Sequence, residues 1–213
     1  MGFQGRVGPL LARHQWPRWA YHEFDYRLWR ASGSGHTPAR QKAKLLARAA
    51  TAERRTFIET GTYRGDMLAR LLEVFDRLYS VERDPELYRA AVRRFRSAPH
   101  VTVYHDDSAA ALSKILAEVS GPCVLWLDAH PAPGEPGDVP LLSELQAILD
   151  HPGGGHRVLI DDIRAFSGEG AWPSLTDIVV PLHRSGRVTQ VLVESDVMSF
   201  NVEAGGFRPG EVL

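Results

Sequence analysis

The chain has 213 residues, 44% hydrophobic and 24% charged. That balance fits one globular domain with a full core and excludes a disordered chain. With 25 Lys and Arg against 26 Asp and Glu, the formal net charge is -1, which leaves no global reason to expect nucleic acid or an anionic membrane as a partner. The one cysteine, Cys123, excludes an intrachain disulfide framework and a cysteine-rich zinc site, and it predicts a reducing, cytoplasmic setting.

Residues 1–52 read as an N-terminal helical arm and 53–213 as the main domain. Arg6 and Arg13 flank only a short apolar stretch, and Arg6 stands where a myristoylation site needs Ser or Thr, so no targeting segment is expected. No run of about 18 apolar residues occurs, so no membrane helix is expected. Arg13 to Arg30 is rich in aromatic and basic residues (Trp16, Trp19, Tyr21, Phe24, Tyr26, Trp29) and is followed by Ser32-Gly33-Ser34-Gly35. It reads as an arm packed on the domain, a lid over a pocket, or a homodimer contact. Gln41 to Ala52 follows as a helix.

From Thr56 onward, short apolar runs alternate with helical patterns. Strands are predicted at Thr56–Glu59, Leu78–Glu82, Val101–His105, Cys123–Leu127 and Arg157–Ile160. Helices are predicted over Asp66–Asp76, from Pro85 to about Ser97, over Ser108–Val119, Val139–Leu149 and Ser174–His183. Such alternation indicates an α/β, Rossmann-like doubly wound sheet, mostly parallel, with helices on both faces. The last β-rich runs, Arg187–Glu194 and Val197–Glu203, are separated only by Ser195 and Asp196. A parallel crossover needs a dozen or more residues, so these two must form a C-terminal antiparallel hairpin.

In such a sheet, ligands sit beyond the carboxyl ends of the strands. The first strand runs into Glu59-Thr60-Gly61-Thr62-Tyr63-Arg64-Gly65, a turn whose glycines permit close approach to a ligand. Glu82, about 20 residues on, ends the second strand and is placed to accept hydrogen bonds from ribose hydroxyls. After the third strand, Asp106-Asp107-Ser108 offers a carboxylate and a helix N-terminus near an adenine; the alternative is plain capping of the next helix by Asp107 or Ser108. Together these features point to an adenosine-type site. A dinucleotide dehydrogenase fits less well, because its turn needs G-x-G-x-x-G and this one supplies only Gly61 and Gly65.

Glu59-x-Gly61-x-x-x-Gly65, then Glu82, then Asp107-Ser108, with the closing hairpin, resembles the class I S-adenosylmethionine-dependent methyltransferases over roughly residues 55 to 205. The resemblance implies strand order 3-2-1-4-5-7-6 and S-adenosylmethionine (SAM) as cofactor. Glu59, Thr60, Gly61, Tyr63, Gly65, Glu82, Asp107, Ser108 and Asp128 are then the cofactor-binding positions. In that reading the Gly61 turn faces the methionine part, Glu82 the ribose and Asp107 the adenine. Asp106 stands where many members have Gly.

The fourth strand ends in Asp128-Ala129-His130 and the fifth in Asp161-Asp162. Adjacent parallel strands set these ends about 5 Å apart, so Asp128, Asp161 and Asp162 crowd together and call for a positive charge among them. Mg²⁺ with oxygen ligands is the expected solution; the other reading is that these residues cap the following elements or bind the cofactor amine. The pattern resembles metal-dependent O-methyltransferases of the catechol type and of the macrolide and aminocoumarin sugar-tailoring group. Pro131 stands where the catechol type has Lys, and His130 where the sugar-tailoring group has Asp. Leu-Asp-Ala-His and Ile-Asp-Asp-x-Arg are closer to uncharacterised bacterial methyltransferase-like proteins.

The resemblance implies Mg²⁺-dependent O-methylation of a small polar acceptor, a natural product or a saccharide, with His130 and Asp128 as the catalytic pair. His130 is the candidate base, while Arg164 is either a steering charge for an anionic acceptor or a surface salt bridge. Two alternatives stay open: a metal-independent methyltransferase, and a non-catalytic SAM-binding or partner-binding protein. No nucleic-acid substrate is expected, since no basic face with interleaved aromatics occurs outside the arm.

Overall fold

Residues 37–131 and 137–205 are described in a computed structural model of the chain. In chain order the elements are α1 (Ala39–Ala49), β1 (Thr56–Thr60), α2 (Asp66–Leu71), β2 (Arg77–Glu82), α3 (Pro85–Arg94), β3 (Val101–His105) and α4 (Ser108–Glu118). There follow β4 (Cys123–Leu127), α5 (Leu141–Asp150), β5 (His156–Ile160), a 3-10 turn (Ile163–Ala165), α6 (Leu175–Arg184), β6 (Val188–Glu194) and β7 (Val197–Val202). The strands form one sheet ordered β3-β2-β1-β4-β5-β7-β6. That is the expected order, parallel from β3 to β5 and antiparallel at β7 and β6.

The middle strands are apolar because both their faces are covered, as a parallel sheet requires. Every residue of β4 is buried. Side chains alternate between faces: Phe57, Val124, Trp126 and Leu159 join Leu46 of α1 and Leu68 of α2 in one cluster. Ile58, Leu125 and Val158 join Leu112 and Ile115 of α4, Leu145 of α5 and Ile178 of α6 in the other. Although α1 falls within the segment expected as an arm, Leu45 and Leu46 make it part of the core. The aromatic run from Trp16 to Trp29, with its lid and dimer readings, lies outside the described residues.

Two local differences from expectation have simple causes. The helix after β1 ends at Leu71 rather than near Asp76. The chain then turns, with the Val74 amide bonding the Leu71 carbonyl at 2.9 Å, so that Phe75 enters the core and stacks on Phe57 at 5.2 Å between centroids. Between β5 and α6 lies the 3-10 turn, which no apolar periodicity announced.

The hairpin turn has Ser195 at φ 52° and Asp196 at φ 64°. Positive φ at both central residues is what a tight two-residue hairpin turn demands. Its tip is tied to two distant parts of the chain. The Thr37 hydroxyl donates to the Ser195 carbonyl. Asp196 accepts from the Arg164 amide at 3.0 Å and from its guanidinium at 2.7 Å. Arg164 is thus held by a salt bridge. At the opposite end of the hairpin, buried Arg187 donates to the carbonyls of Leu149, His151, Gly153 and Glu203.

Candidate active site

Where β1 to β5 end, the chain leaves a cleft of about 630 Å³, within the usual range for small-molecule sites. Its walls include Gly61, Tyr63, Glu82, Asp107, Ser108, Asp128, His130 and Asp162. Glu59, Thr60 and Gly65, expected among the cofactor positions, are not part of that wall. Glu59 lies behind it, 2% exposed, and accepts from the Ser80 hydroxyl at 2.8 Å. Burial holds the Glu59 carboxyl well above its ordinary pKa, against the pull of Ser80. Thr60 is fully buried, and its carbonyl accepts from the Asp128 amide at 3.2 Å. Gly65, at φ 72°, starts α2 against Phe95, where an added Cβ would stand 2.6 Å from the ring.

Gly61 brings two strand ends together. Its φ is 83°, and a Cβ there would lie 2.4 Å from the Asp128 carbonyl oxygen, so only glycine fits. The turn delivers Tyr63, whose amide donates to Glu82 Oε2 at 2.7 Å, while the Asp84 amide donates to Oε1 at 2.9 Å. Two backbone donors therefore fix the Glu82 carboxylate, and each oxygen keeps a lone pair for a diol. Asp107 does cap α4, accepting from the Ala109 and Ala110 amides at 3.1 and 3.2 Å. Asp106 is paired with Lys114.

At the other end of the cleft the three expected carboxylates come together around a residue the sequence reading passed over. Lys42 of α1 donates to Asp161 and, at 3.2 Å, to Asp162. Its side chain is 11% exposed and that of Asp161 only 2%. Burial disfavours the ammonium, but Asp161, Asp128 and Asp162 outweigh it and hold the Lys42 pKa above its usual value. Burial also pushes the Asp128 and Asp161 carboxyls up, with Lys42 opposing it in both. The Asp162 backbone takes the left-handed conformation, φ 48°, and its amide donates to Asp161 Oδ1 at 2.8 Å.

This arrangement does not fit the expected Mg²⁺. The position between the carboxylates of β5 is taken by an ammonium, and among the described residues no group of three His, Cys, Asp or Glu side chains is arranged to hold a metal ion. The signal that could have revealed Lys42 is its helical register. Positions 42, 45, 46 and 49 share one face of α1, and Leu45 and Leu46 on it are buried.

His130 lies in a mostly apolar niche, its side chain 7% exposed. Its ring meets Trp172 at 5.0 Å and Phe166 edge-on at 6.3 Å, two residues the sequence reading did not single out. Nδ1 lies 3.0 Å from the Pro131 carbonyl. A carbonyl only accepts, so Nδ1 carries the hydrogen and Nε2 of the neutral ring keeps its lone pair. Nε2 has no hydrogen-bond partner among the described residues, although Asp128 Oδ1 stands 3.5 Å away, outside hydrogen-bond geometry.

Solved structures with this architecture include the O-methyltransferase TomG of Streptomyces achromogenes, involved in tomaymycin synthesis and solved with SAM. It has TM-score 0.60 and 16% identity over 96% of this chain and 100% of that one. An O-methyltransferase of Bacillus cereus, solved with S-adenosylhomocysteine (SAH), matches with TM-score 0.60 and 16% identity over 92% and 96% of the two chains. This chain has the class I methyltransferase fold. The N-methyltransferase NodS of Bradyrhizobium japonicum shares that fold at TM-score 0.52 and 13% identity, over 77% of this chain and 96% of NodS. No protein-family description and no curated protein matches the sequence. Glu82 lines the cleft at the end of β2, whereas His130 and Asp162, the latter bonded by Lys42, line it beyond β4 and β5. Among the described residues, no helix is long and apolar enough to cross a membrane.

Proposed function

We propose that the protein transfers a methyl group from SAM to a hydroxyl oxygen of a small polar acceptor. The observation that carries this reading is the unpartnered Nε2 of His130, a residue that lines the same cleft as Glu82. The cleft suits the cofactor, with a fixed carboxylate for a ribose diol and a glycine turn that leaves no side chain in the way. Glu82, Gly61 and Tyr63 would hold it, and Asp107 borders the adenine end.

When bound, SAM supplies an electrophilic methyl on a sulfonium; its carbon bonds to the acceptor oxygen while the C–S electron pair stays on sulfur, leaving SAH. His130 takes the hydroxyl proton at Nε2, which its hydrogen bond to Pro131 leaves free. The Nε2 that receives the proton stands 3.5 Å from Asp128 Oδ1. Phe166 and Trp172 keep water from that proton, and holding acceptor and methyl in line contributes much of the acceleration. Polar walls at Asp128, Asp162 and His130 favour a hydroxylated acceptor, in keeping with a natural product or saccharide. Mg²⁺ takes no part in this reading.

Calorimetry with SAH tests the cofactor half. Micromolar binding is expected, weakened about tenfold or more in Glu82→Ala through loss of a charged hydrogen-bond acceptor; absence of binding by the intact protein overturns the reading. For the acceptor half, SAH release is followed across catechols, phenols and glycosides. His130→Gln is expected to lower turnover about 10²- to 10⁴-fold with SAH affinity unchanged. Equal turnover in the variant removes His130 from the chemistry.

A further inference from the structure

We infer that Lys42 is the resident cation of the acceptor end: its ammonium stands where a divalent ion would otherwise bind and positions Asp161, Asp162 and Asp128 without metal. The inference rests on the methyl-transfer reading for its purpose but not for its geometry. Three carboxylates at neighbouring strand ends, two of them in direct contact with Lys42, need a positive charge among them. A divalent ion would have to displace a lysine that α1 drives into the site by burying Leu45 and Leu46 one turn later. An ammonium differs from a metal in kind. It donates up to three hydrogen bonds, binds no substrate oxygen as a Lewis acid and cannot be removed by a chelator. Lys42 is a positioning residue, with proton removal left to His130.

The test compares the intact protein with Lys42→Met and Lys42→Arg. Mn²⁺ binding is read from the loss of the free-ion electron paramagnetic resonance signal, and thermal stability is measured with Mg²⁺ and with chelator. The wild type is expected to bind no Mn²⁺ at about millimolar concentration, as a dedicated oxygen-ligand site would, and its stability should not respond to chelator. Lys42→Met frees the carboxylates and should gain Mn²⁺ affinity about tenfold or more over wild type, with a Tm that rises on adding Mg²⁺. Lys42→Arg should behave as wild type, since it restores the charge.

Stoichiometric Mn²⁺ binding by the wild type overturns the inference, as does a folded Lys42→Met that gains no affinity. Should Lys42→Met fail to fold, the wild type and Lys42→Arg still decide it, because Mn²⁺ uptake by either is incompatible with a resident ammonium. SAH binding, measured alongside, separates the two ideas. Its loss sinks the methyl-transfer reading and leaves the Mn²⁺ comparison intact.

Discussion

Gly61 illustrates how single residues set this site. Its position requires both a positive φ and the absence of a Cβ, because the Asp128 carbonyl oxygen occupies the space. Gly61→Ala must push β1 from β4 or rotate the turn that carries Tyr63 to Glu82. We expect a stability loss of about 2 kcal/mol or more and SAH affinity down about tenfold or more. A variant with wild-type melting and wild-type SAH affinity would show that the close approach is not needed. Gly61 and Glu82 were legible because their chemistry depends on type and spacing along a short stretch. Lys42 was not, since its partners lie 119 and 120 residues away and a lysine on an amphipathic helix ordinarily reads as solvated. Phe166 and Trp172 escaped for a related reason: aromatic residues in a loop carry no periodicity.

Among the elements, α5 carries a buried charge that the proposed chemistry does not use. Glu144, in the first turn of α5, is 1% exposed, and its Oε1 has no partner among the described residues. Burial pushes its carboxyl up to about 7, against the Ser108 and Thr60 hydroxyls. The folded protein therefore holds this proton more tightly than the unfolded chain does. The resulting stability is fully present below pH 4.5, the ordinary value, and is lost as pH rises to about 7, a penalty of about 3 kcal/mol on the ionised form. Glu144→Gln removes the ionisation. Thermal melts should show its Tm gaining on wild type between pH 4.5 and 7, then holding a constant lead; a difference that does not change with pH refutes the assignment. Element types were the most legible layer. The alternation gave the sheet its class, and the two-residue gap forced the hairpin, whereas the early end of α2 depended on Phe75 finding Phe57 in the finished core.

For the molecule as a whole, the acceptor end depends on parts that meet only in the folded state. Asp196 ties the hairpin to the segment following Asp161 and Asp162, and Ser195 accepts from Thr37 two residues before α1. Asp196→Ala should cost about 1–3 kcal/mol and lower turnover through a looser Asp162 corner, while SAH affinity, set at β1 and β2, stays unchanged. A parallel loss of SAH affinity would show that the two ends are not separable in this way. The same tie bears on how the protein is made. A ribosome delivers β1, β2 and β3, with Gly61, Tyr63, Glu82 and Asp107, long before residue 196 appears. Lys42, also early, must wait for Asp161 and Asp162, and their corner waits for the hairpin tip. A nascent chain halted before the hairpin thus lacks the contacts that tie the corner following Asp162. The last segment made is therefore the one that closes this corner, although the lysine and carboxylates it holds together were made earlier.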